Sequence, residues 1–251
     1  MDIAWFLALF ALIVIGIIAN GLHEPLTPNL YVFNTYLYIL LALIVVATTW
    51  RIGDNLSYDN YAFDSNGYHL LGLFIVSLLF MFSTVLSTNK IVTHAAWFLF
   101  VVCIGLITYV QYKISKENGK LPMIFLSLVT LIGILSWISL TQPLDTFDSW
   151  FGPMMMILVG LIVVQLIDLA FFAEPGEKFV SRFRIYSWIG LILFSGFLLY
   201  DTQKLIKNGI RVSAQCDPRK HFECTNYPAE SLNIFMDIIN LFSSTSSIAN
   251  Y

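Results

Sequence analysis

The sequence predicts an all-α fold, a bundle of seven to eight transmembrane helices. Three observations lead there. Of the 251 residues, 58% are apolar and only 12% are charged, where a soluble domain carries about 25% charged residues. Mean hydropathy is +0.77, so no polar domain offsets the apolar excess. The apolar residues also gather in continuous runs near the roughly 20 residues that a membrane-crossing helix needs. Continuous runs, rather than short alternating ones, point to helices and away from a β-barrel. The net charge of −3 offers no basic field for a nucleic-acid partner.

Eight segments follow in order, at 3–19, 31–50, 68–87, 91–112, 121–141, 151–172, 184–206 and 231–249. The first is read as a helix rather than a cleaved signal peptide, because Asp2 is the only charge before it and its cleavage site is poor. NGLHEPLTPN separates it from the second. RIGDNLSYDNYAFDSNG, STNK, KISKENGK, QPLDTFDS and AEPGEKFVSR make the next five breaks. The longest break is 207–230. The eighth segment ends SSTSSIANY, which is polar, so it either spans or forms a short re-entrant helix. Trp50, Trp150 and Trp188 read as interface anchors. The whole chain, 1–251, reads as one integral membrane domain, with 184–249 a helical hairpin. Basic residues divide almost evenly between the two sides, so the positive-inside rule leaves the orientation and the host membrane open.

Two carboxylates stand inside apolar runs: Asp201 in FSGFLLYDTQKLI and Asp237 in NIFMDIINLF. An intramembrane acid is costly and marks function by default. Segments seven and eight are sequential and antiparallel. Counting back from a helix end at 206 and forward from 231 puts both acids at roughly 8–9 Å from one membrane face. Two acids meeting there cannot both ionise easily. They share a proton, titrate in two macroscopic steps and form a proton-sensitive latch.

Phe194-Ser195-Gly196, then Leu199-Tyr200-Asp201-Thr202-Gln203, with Asp237-Ile238-Ile239-Asn240-Leu241-Phe242 in the next helix, resembles the transmembrane Bax-inhibitor-motif family. The resemblance covers the C-terminal quarter, about 184–242. It implies a multi-pass protein linked to calcium leak and protection from cell death, with Asp201 and Asp237 as a proton-sensing pair. The chain departs from the pattern in three ways. It has eight segments where the family has about seven. Arg51 can supply the arginine that some members carry near the end of a helix, but YLYILLALIVVATTW holds no acid. The basic entry to the first helix is also absent.

Further candidates for the pathway or the latch are Gln165 and Asp168, which share a helix face at i, i+3, and Thr202 and Asn240 beside the acids. Their competing reading is interfacial. His94, near Lys90, also reads as interfacial. Cys216 and Cys224 can pair in a disulfide if the 207–230 loop faces an oxidising space; two free thiols are the alternative. Asn55-Leu56-Ser57 is a glycosylation sequon close to the membrane. Calcium wants six to eight oxygens, so the acids do not make a tight cage. No cofactor and no bound metal are predicted, beyond weak, transient calcium. The partners are the lipid bilayer, calcium or other cations, and other membrane subunits.

Three functions compete. The first is a proton-gated calcium or cation leak channel whose latch opens on deprotonation. The second is an accessory subunit of a larger membrane assembly. The third is an intramembrane aspartyl protease. That enzyme also needs a shared-proton dyad, but here IFM precedes Asp237 in place of a GxGD motif, and YPAES is not PAL. The protein is therefore read as not an enzyme.

Overall fold

A computed structural model describes residues 9, 11–16, 26–56, 58, 68–171, 177–216 and 224–250, without the side chains of residues 68, 169–171 and 177–181. Among the described residues there are seven α-helices with both ends placed and no β-strand. They are α1 Pro28–Asn55, α2 Tyr68–Leu86, α3 Lys90–Glu117, α4 Leu121–Thr141, α5 Phe151–Phe171, α6 Glu177–Gln215 and α7 Tyr227–Asn250. A short 3-10 turn, Asp148–Trp150, leads into α5. Residues 11–16 are also helical. The remainder of the first segment, the question of its cleavage and Ser57 of the sequon lie outside the described residues.

Among the described residues, six helices are long and apolar enough to cross a membrane: α1 to α6. Their outward surfaces are apolar. Leu126, Val129 and Trp137 on α4 and Met156 on α5 are each about 70% exposed. A water-soluble monomer does not expose contiguous apolar surface on this scale. In hydrocarbon the same surface is correctly solvated, and the protein is an integral, multi-pass membrane protein.

The helix ends have local causes. Thr27 caps α1 by accepting from the Leu30 amide at 3.2 Å, and Pro28 occupies the first turn, where its missing N–H costs nothing. This cap starts α1 three residues before the predicted 31. Gly119 (φ 66°) ends α3. The Lys120 amide reaches Ser115 O at 2.9 Å and the Gly119 amide reaches Lys116 O at 3.1 Å. That is a Schellman closure, and glycine supplies its left-handed residue without a Cβ penalty.

One prediction about the last two helices needs correction. The apolar run predicts a seventh segment at 184–206, but α6 runs on through Lys204, Lys207 and Arg211 to Gln215. Hydropathy marks where a helix leaves hydrocarbon and says nothing of where its hydrogen bonding stops. The last segment is a full helix of 24 residues, although it falls outside the six apolar ones. Its polar residues are enclosed: Ser231, Asp237, Ser244, Ser246 and Ser247 are all buried. A helix surrounded by protein can carry side chains that lipid would not accept.

Internal contacts divide the chain into two compact units, Met1–Lys113 with Leu205–Phe235, and Ile114–Lys204 with Met236–Tyr251. In the first, α1 and α3 approach closely. A Cβ on Gly105 would sit 2.9 Å from Thr49 Cβ, and Trp50 Nε1 donates to Gly105 O at 3.0 Å. The core there includes Tyr31, Val46, Phe100 and Phe235. In the second, Ile124 and Leu128 of α4, Leu198 of α6 and Leu241 of α7 are buried. Ser139 Oγ of α4 donates to Leu199 O of α6 at 2.9 Å.

Candidate functional site

The site lies in the second unit, where α6 meets α7 and the α4–α5 connection. Successive helical residues turn by about 100°, so the four residues 200–203 point in four directions. Tyr200 stacks on Phe151 of α5 at 5.0 Å between ring centroids, with Lys204 Nζ 5.9 Å from its ring. Asp201 is half-buried, and its carboxyl lies close enough to that of Asp237 of α7 for the two to interact. Thr202 is fully buried, and its hydroxyl has no hydrogen-bond partner. Gln203 is fully buried as well. Its Nε2 donates to Pro143 O at 2.8 Å, and its Oε1 accepts from the Phe147 amide at 3.4 Å.

Asp237 is only 5% exposed. One of its oxygens, Oδ2, is buried without a partner. A hydrogen bond between two carboxyl groups needs a proton on one of them. The α7 turns on either side are apolar and buried through Ile234, Phe235, Ile238 and Ile239. Asn240 is half-buried on the following turn.

The far end of α7 is pinned by a neutral polar set. Ser115 Oγ and Ser246 Oγ lie 2.6 Å apart, Asn250 Nδ2 donates to Ser115 Oγ at 2.8 Å, and Asn118 Nδ2 donates to Asn250 Oδ1 at 2.9 Å. Lys120 Nζ donates to Ala249 O, where a cation complements the carbonyl end of the helix. These bonds give α7 a fixed anchor beyond its acid.

The other sequence candidates are placed differently. Arg51 is exposed on α1 in the first unit, whereas both acids belong to the second. The acid that makes contacts at that end of α1 is Asp54. It accepts from Tyr109 OH at 3.2 Å and Tyr112 OH at 3.1 Å, and Lys113 Nζ stands 3.9 Å away. Gln165 is exposed, while Asp168 is buried and paired with Arg182 Nε at 2.7 Å. The shared helix face did not give these two a shared environment, because Arg182 draws only the acid inward. His94 accepts from Tyr38 OH at 2.9 Å through Nε2 when its Nδ1–H donates to Lys90 O at 2.7 Å, so it is part of a structural pair. Cys216 and Cys224 are joined in a disulfide, with Cα atoms 5.8 Å apart.

Sequence reasoning assigned no role to Gln203, Ser139, Asp54 or Arg182. Gln203 had a visible mark, as an amide inside an apolar helix. Asp54 and Arg182 had none, since an acid or a base near a helix end is ordinarily solvated. Among the described residues, no group of three or more His, Cys, Asp or Glu side chains could hold a metal ion.

A sequence model of the family described as "Inhibitor of apoptosis-promoting Bax1" matches residues 28–249. "Inner membrane protein YbhL" of Escherichia coli is 25% identical over 217 residues, which cover 84% of this chain and 87% of that protein. "Growth hormone-inducible transmembrane protein" of Rattus norvegicus is 27% identical over 118 residues, 47% of this chain and 32% of that protein.

Proposed function

This chain belongs to the family of inhibitors of apoptosis-promoting Bax1, and on that premise we propose that it is a proton-sensitive leak pathway for calcium or a related cation. Its latch is the Asp201–Asp237 contact. While one proton is shared, α6 and α7 are held together at the site. When it leaves, two adjacent anions repel each other in a poorly solvated place and the contact opens. The observation that carries this reading is the meeting of two carboxyls, one of them as buried as Asp237, on adjacent helices.

The groups beside the latch suit a passing cation rather than a stored one. Asp237 Oδ2 and the Thr202 hydroxyl are buried oxygens without hydrogen-bond partners among the described residues. With the second carboxylate they supply too few oxygens for a tight calcium cage, and weak binding favours exit as well as entry. In a cell, such a leak acts on calcium homeostasis and, through it, on cell-death regulation.

The test is calcium entry into proteoliposomes holding the full chain, read with an internal dye at several pH values. Flux should rise with pH in the parent and lose that dependence in Asp201→Asn and Asp237→Asn. Unchanged pH profiles in both variants would sink the latch.

One observation favours a second reading, an accessory subunit of a larger membrane assembly. The α1 run 36–50 carries no acid and Arg51 is exposed, so the additional intramembrane ion pair implied by the family resemblance has no acid here. Absence of flux at every pH, with co-purification of large partners at fixed stoichiometry, would decide for it.

A further inference from the structure

We propose that the groove between α1 and α3 holds one acyl chain of an anionic membrane phospholipid, with Arg51 engaging its phosphate. The groove has a volume of about 450 Å³. One wall is the α1 face carrying Val45, Thr48, Thr49 and Ile52. The other is Phe98, Val102 and Leu106 of α3, spaced every fourth residue on one helix face.

Its chemistry selects hydrocarbon. The two threonines look polar, but Thr48 Oγ1 donates to Ile44 O at 2.7 Å and Thr49 Oγ1 to Val45 O at 2.8 Å. Both hydroxyls are turned back onto their own helix, so the wall presents their methyl groups. A guest needs no hydrogen bond and is offered none. The floor is buried at Ile44, Val45 and Thr49, while Ile52 and Phe98 are more than 40% exposed. The groove is therefore open along one side of two membrane-spanning helices, where the surrounding medium is lipid.

Its length and one end select a phospholipid. From Ile44 to Leu56 the α1 wall spans about 18 Å at 1.5 Å per residue. One leaflet of hydrocarbon is about 15 Å deep, half of the ~30 Å core. The groove thus runs from mid-membrane to the end of α1, where a headgroup would lie. Arg51 stands at this end, exposed, on the edge of the face that carries Ile44 and Thr48 at i−7 and i−3. Asp54, the acid nearest in sequence, is turned to Tyr109, Tyr112 and Lys113 of α3. Tyr58, which closes the same end, is bonded to His69 Nε2 at 2.8 Å. Asp54 and Tyr58 are thus engaged, and the guanidinium has no partner among the described residues. It matches a phosphate in a geometry that lysine would not reproduce.

Native mass spectrometry of the full chain in detergent tests this, with phosphatidylglycerol and phosphatidylcholine added separately. One phosphatidylglycerol should be retained, at least tenfold in preference to phosphatidylcholine. Arg51→Gln should cut that preference to twofold or less while still binding lipid. Val102→Phe, which fills the groove, should lower retention tenfold or more. Equal retention of the two lipids by the parent, or parental retention by a folded Val102→Phe, would overturn the proposal. Should Val102→Phe fail to fold, the parent decides alone. A phospholipid with a photoreactive acyl chain should label α1 and α3 around Thr48 and Val102. Even labelling of α2 and α4, or cross-links between two protein copies at the groove, would overturn it.

Discussion

Replacing Asp237 by asparagine isolates the proton from the shape of the latch. In the proposed latch, Asp201 and Asp237 share one proton that the opened form would release. One proton bound only in the latched form makes the ratio of open to latched molecules rise tenfold per pH unit, about 1.36 kcal/mol. The sign follows from linkage: the latched form binds more protons, so raising pH drains it. Below the pair's titration, flux should be flat and low; through it, flux should climb by as much as ~100-fold over two pH units; above it, flux should level off. Asparagine keeps the shape and brings its own Nδ2–H, which can donate to Asp201 without titrating. A hydrogen bond to a charged group contributes about 1.5–3 kcal/mol, enough to hold the latch by roughly ten- to hundredfold. Asp237→Asn should therefore show low flux with no pH slope, and Asp237→Leu high flux with no pH slope. Both are read from dye-loaded proteoliposomes over a pH series. If Asp237→Asn kept the parent's slope, the titrating group would lie elsewhere and the reasoning would be refuted.

Three further outcomes follow from packing and covalent structure. Gly105→Ala would press a methyl to 2.9 Å from Thr49 Cβ and 3.1 Å from its Cγ2; overpacking of this kind costs about 1–3 kcal/mol, and a detergent melt at the parental temperature would count against the close α1–α3 approach. Gln203→Leu removes the partner of the buried Phe147 amide, while Pro143 O keeps the Thr146 amide and hydroxyl; one stranded buried group costs about 1–3 kcal/mol, so the melting temperature should fall and the 142–148 connection should become protease-sensitive, and unchanged values of both would show the amide is dispensable. Of the three cysteines, only Cys103 is free; denatured protein should take one maleimide label before reduction and three after it, and three labels without reductant would exclude the disulfide.

The helices themselves were legible because each is written locally. Twenty apolar residues, a threonine before a proline, or a glycine after a charged turn act within a few residues of chain. The bounds of α4, 121–141, agree with the structure for that reason. The length of α6 was not legible, since its last two turns are hydrogen-bonded helix outside the apolar run. The candidate site was legible only as two acids worth explaining. Asp201 and Asp237 stand out because lipid penalises charge, but nothing in either helix's own pattern states its rotation about its axis.

By itself, the sequence determined that this is a multi-pass helical membrane protein, the order of its helices, and which two of them carry an acid inside an apolar run. Tertiary structure decided the rest. It turned Asp201 toward Asp237, Gln203 toward the α4–α5 connection, and Asp54 rather than Arg51 into contact with α3. It also enclosed α7, so that Ser244, Ser246 and Ser247 are buried in the polar half of a run whose spanning the sequence left open. The physical reason is the same throughout: hydropathy measures a helix against lipid, whereas the cost of a polar group depends on what surrounds it, and the surroundings of α7 are other helices.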